Sequence, residues 1–174
     1  MPSHKSALVL FYQNRAADNQ GRMIEEILKW DDEKLERVHD YIQWLFPLPE
    51  PSGFNSNAPQ LSRDDIADFV MDAQVRTNML RSFERMLSFY GLEQSQSKET
   101  VRRAVKFPER SSSWLSRGNH NFLRITRILH SLFLTGFEKQ SEAFYKCLVD
   151  IYGANKTIIG SATFEYWRNA VKKS

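Results

Sequence analysis

Residues 121–135 read Asn121-Phe122-Leu123-Arg124-Ile125-Thr126-Arg127-Ile128-Leu129-His130-Ser131-Leu132-Phe133-Leu134-Thr135, and this stretch decides the fold class. At 100° per residue, Phe122, Leu123, Ile125, Ile128, Leu129, Leu132, Phe133 and Leu134 cover all but about 120° of a helix circumference. A helix so nearly apolar all round belongs at the centre of a fold, with other helices about it. The uncovered sector holds His120, Arg124, Arg127 and Ser131, while Thr126 and His130 fall inside the apolar arc. Asn119 or Asn121 can cap the helix start, and Gly136 ends it.

Helical signals continue on both sides. Asp31 or Asp32 caps a helix predicted to run to Phe46, where Pro47 stops it, with Leu35, Val38, Ile42 and Leu45 as its stripe. Four prolines between Pro47 and Pro59 make a loop. Ser62 and Asp65 form a capping box before a helix that turns Ile66, Phe69 and Val70 inward. Val75, Met79, Phe83, Met86 and Tyr90 share one arc of a further helix, and Gly91 is its stop. The polar stretch Gln94–Thr100 reads as a loop. Pro108 suits the first turn of a short helix presenting Trp114 and Leu115. A helix with Phe144, Cys147, Leu148 and Ile151 ends at Gly153, and another begins near Ser161 with Phe164 and Trp167. The run Ala7–Tyr12 fits either a short strand or a helix. The predicted architecture is all-α: one globular domain over residues 1–174, about seven helices around a central apolar one.

The composition agrees. The chain has 174 residues, 41% hydrophobic and 26% charged, with twelve Phe, six Tyr and four Trp to fill a core. Seven Gly and six Pro are too few for the turns of a sandwich or barrel. A single cysteine, Cys147, can form no internal disulfide, which favours a reducing compartment. The first residues open no signal peptide, and no stretch approaches the ~20 apolar residues of a membrane span. The expected location is intracellular, the cytoplasm first. Net charge is +3, but unevenly placed: residues 1–80 carry 8 basic and 13 acidic groups, residues 81–130 carry 10 and 4.

Catalytic signals are scarce. His4, His39, His120 and His130 show no metal-ligand spacing, and no nucleophile elbow, phosphate loop or dinucleotide fingerprint occurs. Cys147 lies on an apolar stripe, as an inert thiol does. The chain is therefore expected to be no enzyme, with no catalytic residues, metal or cofactor. Two tracts do ask for an explanation. Arg124 and Arg127 on a central helix must lose water, which is costly without partners. They pair with acids such as Asp64, Asp65 or Glu84, or they floor a cleft for a carboxylate, phosphate or peptide terminus, or they are surface arginines of no consequence. On the other tract His39 and Gln43 edge a buried arc, and Trp44 points to the charged side among Glu33, Arg37 and Asp40. There it is covered by the proline loop or serves as an anchor for a partner.

The residues His39-Asp40-Tyr41-Ile42-Gln43-Trp44-Leu45-Phe46-Pro47, followed by Pro51-Ser52, resemble the signature of the opioid growth factor receptor conserved-domain family. Phe11-Tyr12, Met86-Leu87-Ser88-Phe89-Tyr90-Gly91 and Asn119 through Leu129 agree with it in order and separation, so the resemblance is strongest over residues 8–140. It implies a helical domain without established catalysis. It also implies binding of an enkephalin-type pentapeptide, as in the vertebrate receptor, and association with the nucleus and its envelope. The chain reads as a short, stand-alone member. The expected function is a non-enzymatic, receptor-like domain binding a peptide or small anionic ligand. The candidate ligand contacts, taken from the helical faces, are His39, Gln43, Trp44, Asn119, His120, Arg124 and Arg127. The alternative is an interaction module that meets a partner protein or nucleic acid through the basic central third. There Lys98 to Arg127 hold eight basic and two acidic residues, yet no nucleic-acid-binding motif is visible and nucleic acid is disfavoured.

Overall fold

The computed structural model describes residues 4–172; the first three residues, part of the stretch read as no signal peptide, lie outside them. The described residues form eleven helices and one two-stranded hairpin. The helical class stands, with more and shorter helices than the seven expected. The chain divides into two compact units, Met1–Phe83 and Glu84–Ser174, and the boundary falls within a long helix.

The first unit contains α1 (Ala7–Tyr12), α2 (Ile24–Leu28), α3 (Asp32–Arg37), α4 (Ile42–Leu45), α5 (Arg63–Met71) and the start of α6 (Ala73–Tyr90). The ambiguous N-terminal run is a helix, capped by the Ser6 hydroxyl, which accepts from the Val9 N–H. It packs on α5, whose predicted capping box is present in both directions. Tyr12 pins this unit. Its hydroxyl donates to the Leu45 carbonyl, its ring meets Phe69 at 4.8 Å, and its carbonyl accepts from Asn78 Nδ2 at 2.6 Å. Full burial pushes the Tyr12 hydroxyl well above its ordinary pKa. On α5, Phe69 is buried but Ile66 is half-buried and Val70 exposed, so the inward stripe is narrower than expected.

The single helix predicted from Asp31 to Phe46 is instead α3 and α4 with a break between them. Asp31 does cap α3, accepting from the Lys34 N–H. The chain leaves the helix at Val38, which is extended. The Tyr41 hydroxyl then reaches back to the Leu35 carbonyl at 2.9 Å, and Asp40 is drawn to Arg22 at 2.8 Å. Beyond the break every residue from Tyr41 to Pro47 is buried. One face of a continuous helix cannot do that; a break followed by a short turn of helix can.

The second unit contains the rest of α6, β1 (Leu92–Gln94), β2 (Val101–Arg103), α7 (Phe107–Trp114), α8 (Asn121–Leu134), α9 (Glu138–Ala154), α10 (Lys156–Ile159) and α11 (Ser161–Ala170). α8 packs on α9 and α11, and β2 lies against α9. The polar stretch read as a loop is the tip of a hairpin. Its strands pair antiparallel, Leu92 with Arg103 and Gln94 with Val101, and Glu93 meets Arg102 at 2.9 Å across them. Pro108 lies in the first turn of α7, and the indole of buried Trp114 donates to the Tyr90 carbonyl at 3.0 Å.

Leu129 and Leu132 of α8 are fully buried, as a central helix requires, but the buried arc is narrower than the apolar spacing predicts. Leu123 is 56% exposed, whereas Arg124 is 5% exposed and Ser131 fully buried. The buried arc centres between Ile128 and Leu132. Leu123 stands roughly opposite that centre, and Arg124 and Ser131 on its flank. Cys147 of α9 is a buried free thiol, and burial pushes it up to about 11. A thiol reagent at about pH 7.5 should label it roughly two orders of magnitude more slowly than an ordinary cysteine until the protein is denatured. Labelling at the free-thiol rate would refute this packing of α9.

Candidate functional site

The candidate residues fall on one tract in each unit. In the first, the break between α3 and α4 separates what a continuous helix would have aligned. His39 lies in the break and is exposed, while Gln43 and Trp44 are buried in α4. Trp44 is 5% exposed, so it is a covered indole and not the exposed anchor that the sequence also allows. Its ring stands edge-on to Phe11 at 5.2 Å, and its Nε1 donates to Asn19 Oδ1 at 3.1 Å. The turn that presents Asn19 is built by Asp18. The Oδ1 of Asp18 accepts from the N–H groups of Gln20 and Arg22 at 2.9 and 3.0 Å, and its Oδ2 accepts from Arg22 Nε at 2.7 Å. Arg22 Nη2 also lies 2.7 Å from Oδ2, an approach too bent for another hydrogen bond. Gln43 is 5% exposed, and its Oε1 has no hydrogen-bond partner. A buried acceptor left in that state is uncommon.

In the second unit the candidates gather at the start of α8. Asn119 precedes the helix: its Oδ1 accepts from the Asn121 N–H at 2.9 Å, and its Nδ2 donates to Ser116 Oγ at 3.0 Å. Of the two asparagines proposed as caps, Asn119 therefore bonds the first helical N–H. His120 is exposed at the helix boundary. Arg124, one turn on, is buried and donates from Nη1 to Asn121 Oδ1 at 3.4 Å. The Tyr90 hydroxyl reaches the same oxygen at 3.4 Å. Arg127 is half-buried a further turn along.

Asn121 is thus the meeting point, fully buried between a phenol and a guanidinium. Its spacing predicts no more than a helix cap. The signal that could have found it is its place in Asn119-His120-Asn121, beside a helix that needs partners for a buried arginine. The first turn of α8 has no acidic residue, so its partial positive charge adds to that of the arginines. Such a helix start favours an anionic group. As for the acids nominated as partners, Asp65 is engaged at the α5 cap and by the Ser6 hydroxyl at 2.5 Å, Glu84 by Lys98, and Asp64 is exposed.

Among the described residues no helix is long and apolar enough to cross a membrane, and no three His, Cys, Asp or Glu side chains group as a metal site would need.

The family model for the opioid growth factor receptor (OGFr) conserved region matches residues 2–174. The opioid growth factor receptor-like protein 1 of Rattus norvegicus is 38% identical over 163 residues, 90% of this chain and 35% of the relative. Its counterpart in Xenopus tropicalis is 43% identical over 132 residues, 74% of this chain and 25% of the relative. The opioid growth factor receptor of Homo sapiens is 42% identical over 134 residues, 74% of this chain and 19% of the relative. The chain spans about a third or less of the length of these relatives. No solved structure matches it.

Proposed function

The chain belongs to the opioid growth factor receptor conserved-region family, and from that footing we propose that it is a non-enzymatic binding domain whose ligand is a peptide or a small anion met at the start of α8. The observation that carries this reading is a buried arginine, Arg124, only 5% exposed as a residue, one turn into a 14-residue helix without an acidic residue in its first turn. A carboxylate or phosphate meets such a group with paired, charge-assisted hydrogen bonds. Asn119, His120 and Arg127 complete the contacts proposed there. In the first unit Gln43, with its unpaired buried oxygen, and the exposed His39 support a contact of their own. Trp44 donates to Asn19 of the neighbouring turn.

The names of the relatives point to an opioid growth factor as their ligand, and an enkephalin-type pentapeptide is the corresponding probe for this chain. The non-enzymatic reading is supported by the buried, high-pKa thiol of Cys147, which offers no nucleophile. The same lone thiol supports an intracellular setting. A nucleic-acid role for the basic segment is the weaker reading. Lys98 and Arg102 already meet Glu84 and Glu93, and Arg110 donates to the Phe89 carbonyl.

The test is a set of thermal melts with phosphate, a dicarboxylate and the pentapeptide, on the wild-type chain and on Arg124→Ala and Arg127→Ala. At least one probe should raise the wild-type midpoint, since a ligand that binds only the folded state stabilises it. Both variants should lose that rise. If no probe shifts the wild type and Arg124→Ala costs on the order of 3–5 kcal/mol, as loss of a buried ionic partner does, the arginine is structural and the reading fails.

A further inference from the structure

Within the second unit α8 and α11 run in the same direction. Trp167 Nε1 donates to the Phe122 carbonyl at 3.1 Å, and further along both helices His130 Nδ1 lies 3.2 Å from the Ala170 carbonyl. The Trp167 ring also stands edge-on to Phe122, with 5.9 Å between centroids. Phe122 and Trp167 therefore mark one level of the contact. Leu123 is one step forward of that level on α8, and Tyr166 one step back on α11. Each step turns a right-handed helix by about 100°. For two parallel helices facing each other, a step forward on one and a step back on the other turn to the same side. Leu123 and Tyr166 thus flank one furrow between α8 and α11.

Both side chains are exposed, Leu123 by 56% and Tyr166 by 62%. Single apolar groups at a surface are ordinary, whereas two large ones facing across a furrow mark a contact site. Thr126 lies between Leu123 and α11, half-buried, and spends its hydroxyl on the Phe122 carbonyl at 3.0 Å. The furrow is bordered by cationic groups on its α8 side. Arg127 and His120 stand about 40° and 60° round the helix from Leu123, on the flank away from α11. α8 contains no acidic residue, and the one acid of α11, Glu165, is paired with Arg168.

We propose that this furrow is the apolar half of the ligand site at the start of α8. It takes the side chain of a peptide's C-terminal residue, while Arg127 and His120 meet the carboxylate of that same residue. The inference rests on the reading of α8 as an anion-binding site, and narrows the ligand to a carboxylate joined to an apolar side chain. Leu123 and Arg127 are one turn apart, about 6 Å along the axis, so a single residue reaches both. Its carboxylate gains charge-assisted hydrogen bonds, and its side chain leaves water between Leu123 and Tyr166.

The probes are N-acetylleucine, N-acetylglycine and N-acetylleucinamide, titrated to millimolar concentration into the full chain and followed by amide NMR. N-acetylleucine should bind about tenfold or more tightly than N-acetylglycine, because it buries an isobutyl group. N-acetylleucinamide, which lacks the charge, should bind least. The shifts should fall on residues 119–127 and 162–170. Leu123→Ser and Tyr166→Ser, both at exposed positions, should each bring N-acetylleucine down towards N-acetylglycine, and Tyr166→Phe should keep the preference. The furrow is refuted, with the α8 reading left standing, if the two acids bind alike, if the preference survives both serine variants, or if the α11 residues do not shift. If neither acid binds, or the amide binds as well as the acid, the α8 reading fails and this inference with it.

Discussion

Asp18→Ala is expected to destabilise the protein by about 3–5 kcal/mol, the range for removing one partner of a buried ion pair. The Asp18 side chain is fully buried, and that of Arg22 is 13% exposed. The substitution strips Arg22 of its inner carboxylate and leaves only Asp40, whose side chain is 38% exposed. It also orphans the N–H groups of Gln20 and Arg22, each costing its own desolvation. The turn then no longer holds Asn19 against the Trp44 indole. Asp18→Asn keeps an oxygen for the two N–H groups but loses the charge and the acceptor that faces Arg22 Nε, so its cost should be smaller than that of alanine, about 1–3 kcal/mol. Urea melts of the two variants check the ordering. Equal, small losses would mean that the turn is held by its backbone alone.

Gly91→Ala should cost about 2–5 kcal/mol. Gly91 joins α6 to β1 at φ +78°, and an added Cβ would lie 2.7 Å from Phe107 Cα and 2.9 Å from Arg110 Cβ. The left-handed backbone alone costs an alanine roughly 1–2 kcal/mol, and overpacking against a neighbour's backbone adds roughly 1–3 kcal/mol. The neighbour here is α7, held to the same corner by Arg110 Nε on the Phe89 carbonyl and by Trp114 Nε1 on the Tyr90 carbonyl. Moving α7 strains both bonds. Gly118 and Gly160 also have positive φ, but nothing lies within 4 Å of an added Cβ, so alanine there should cost only the backbone share. If Gly91→Ala melts like Gly118→Ala, the close approach of α7 is wrong.

The contrast between these glycines marks where sequence reading stops. Gly91 was legible as a helix stop because turn chemistry is local; that a helix sixteen residues later presses on it was not. The candidate site divides in the same way. That Arg124 sits on the most apolar helix follows from spacing alone. Its burial with Asn121 and Tyr90, while Leu123 faces solvent, does not, because hydropathy ranks leucine inside and arginine outside.

By itself the sequence determined the helical class, the caps at Ser62 and Asp31, the stripes of α6 and α9, and the family. All of these rest on side chains three or four apart, or on signature residues contiguous in the chain. Only tertiary structure decided the rest. The stripe of Leu35, Val38, Ile42 and Leu45 suits one long helix as well as two short ones. The break is chosen by Tyr41 returning to Leu35 and by Arg22 drawing Asp40 from eighteen residues away. Strands of three residues are too short to show alternation, so the hairpin follows from its ladder and from Leu92 and Val101 being buried. Periodicity reports the conformation a segment can adopt. Which of its faces is covered depends on neighbours distant in the chain, and their positions are not written in that segment.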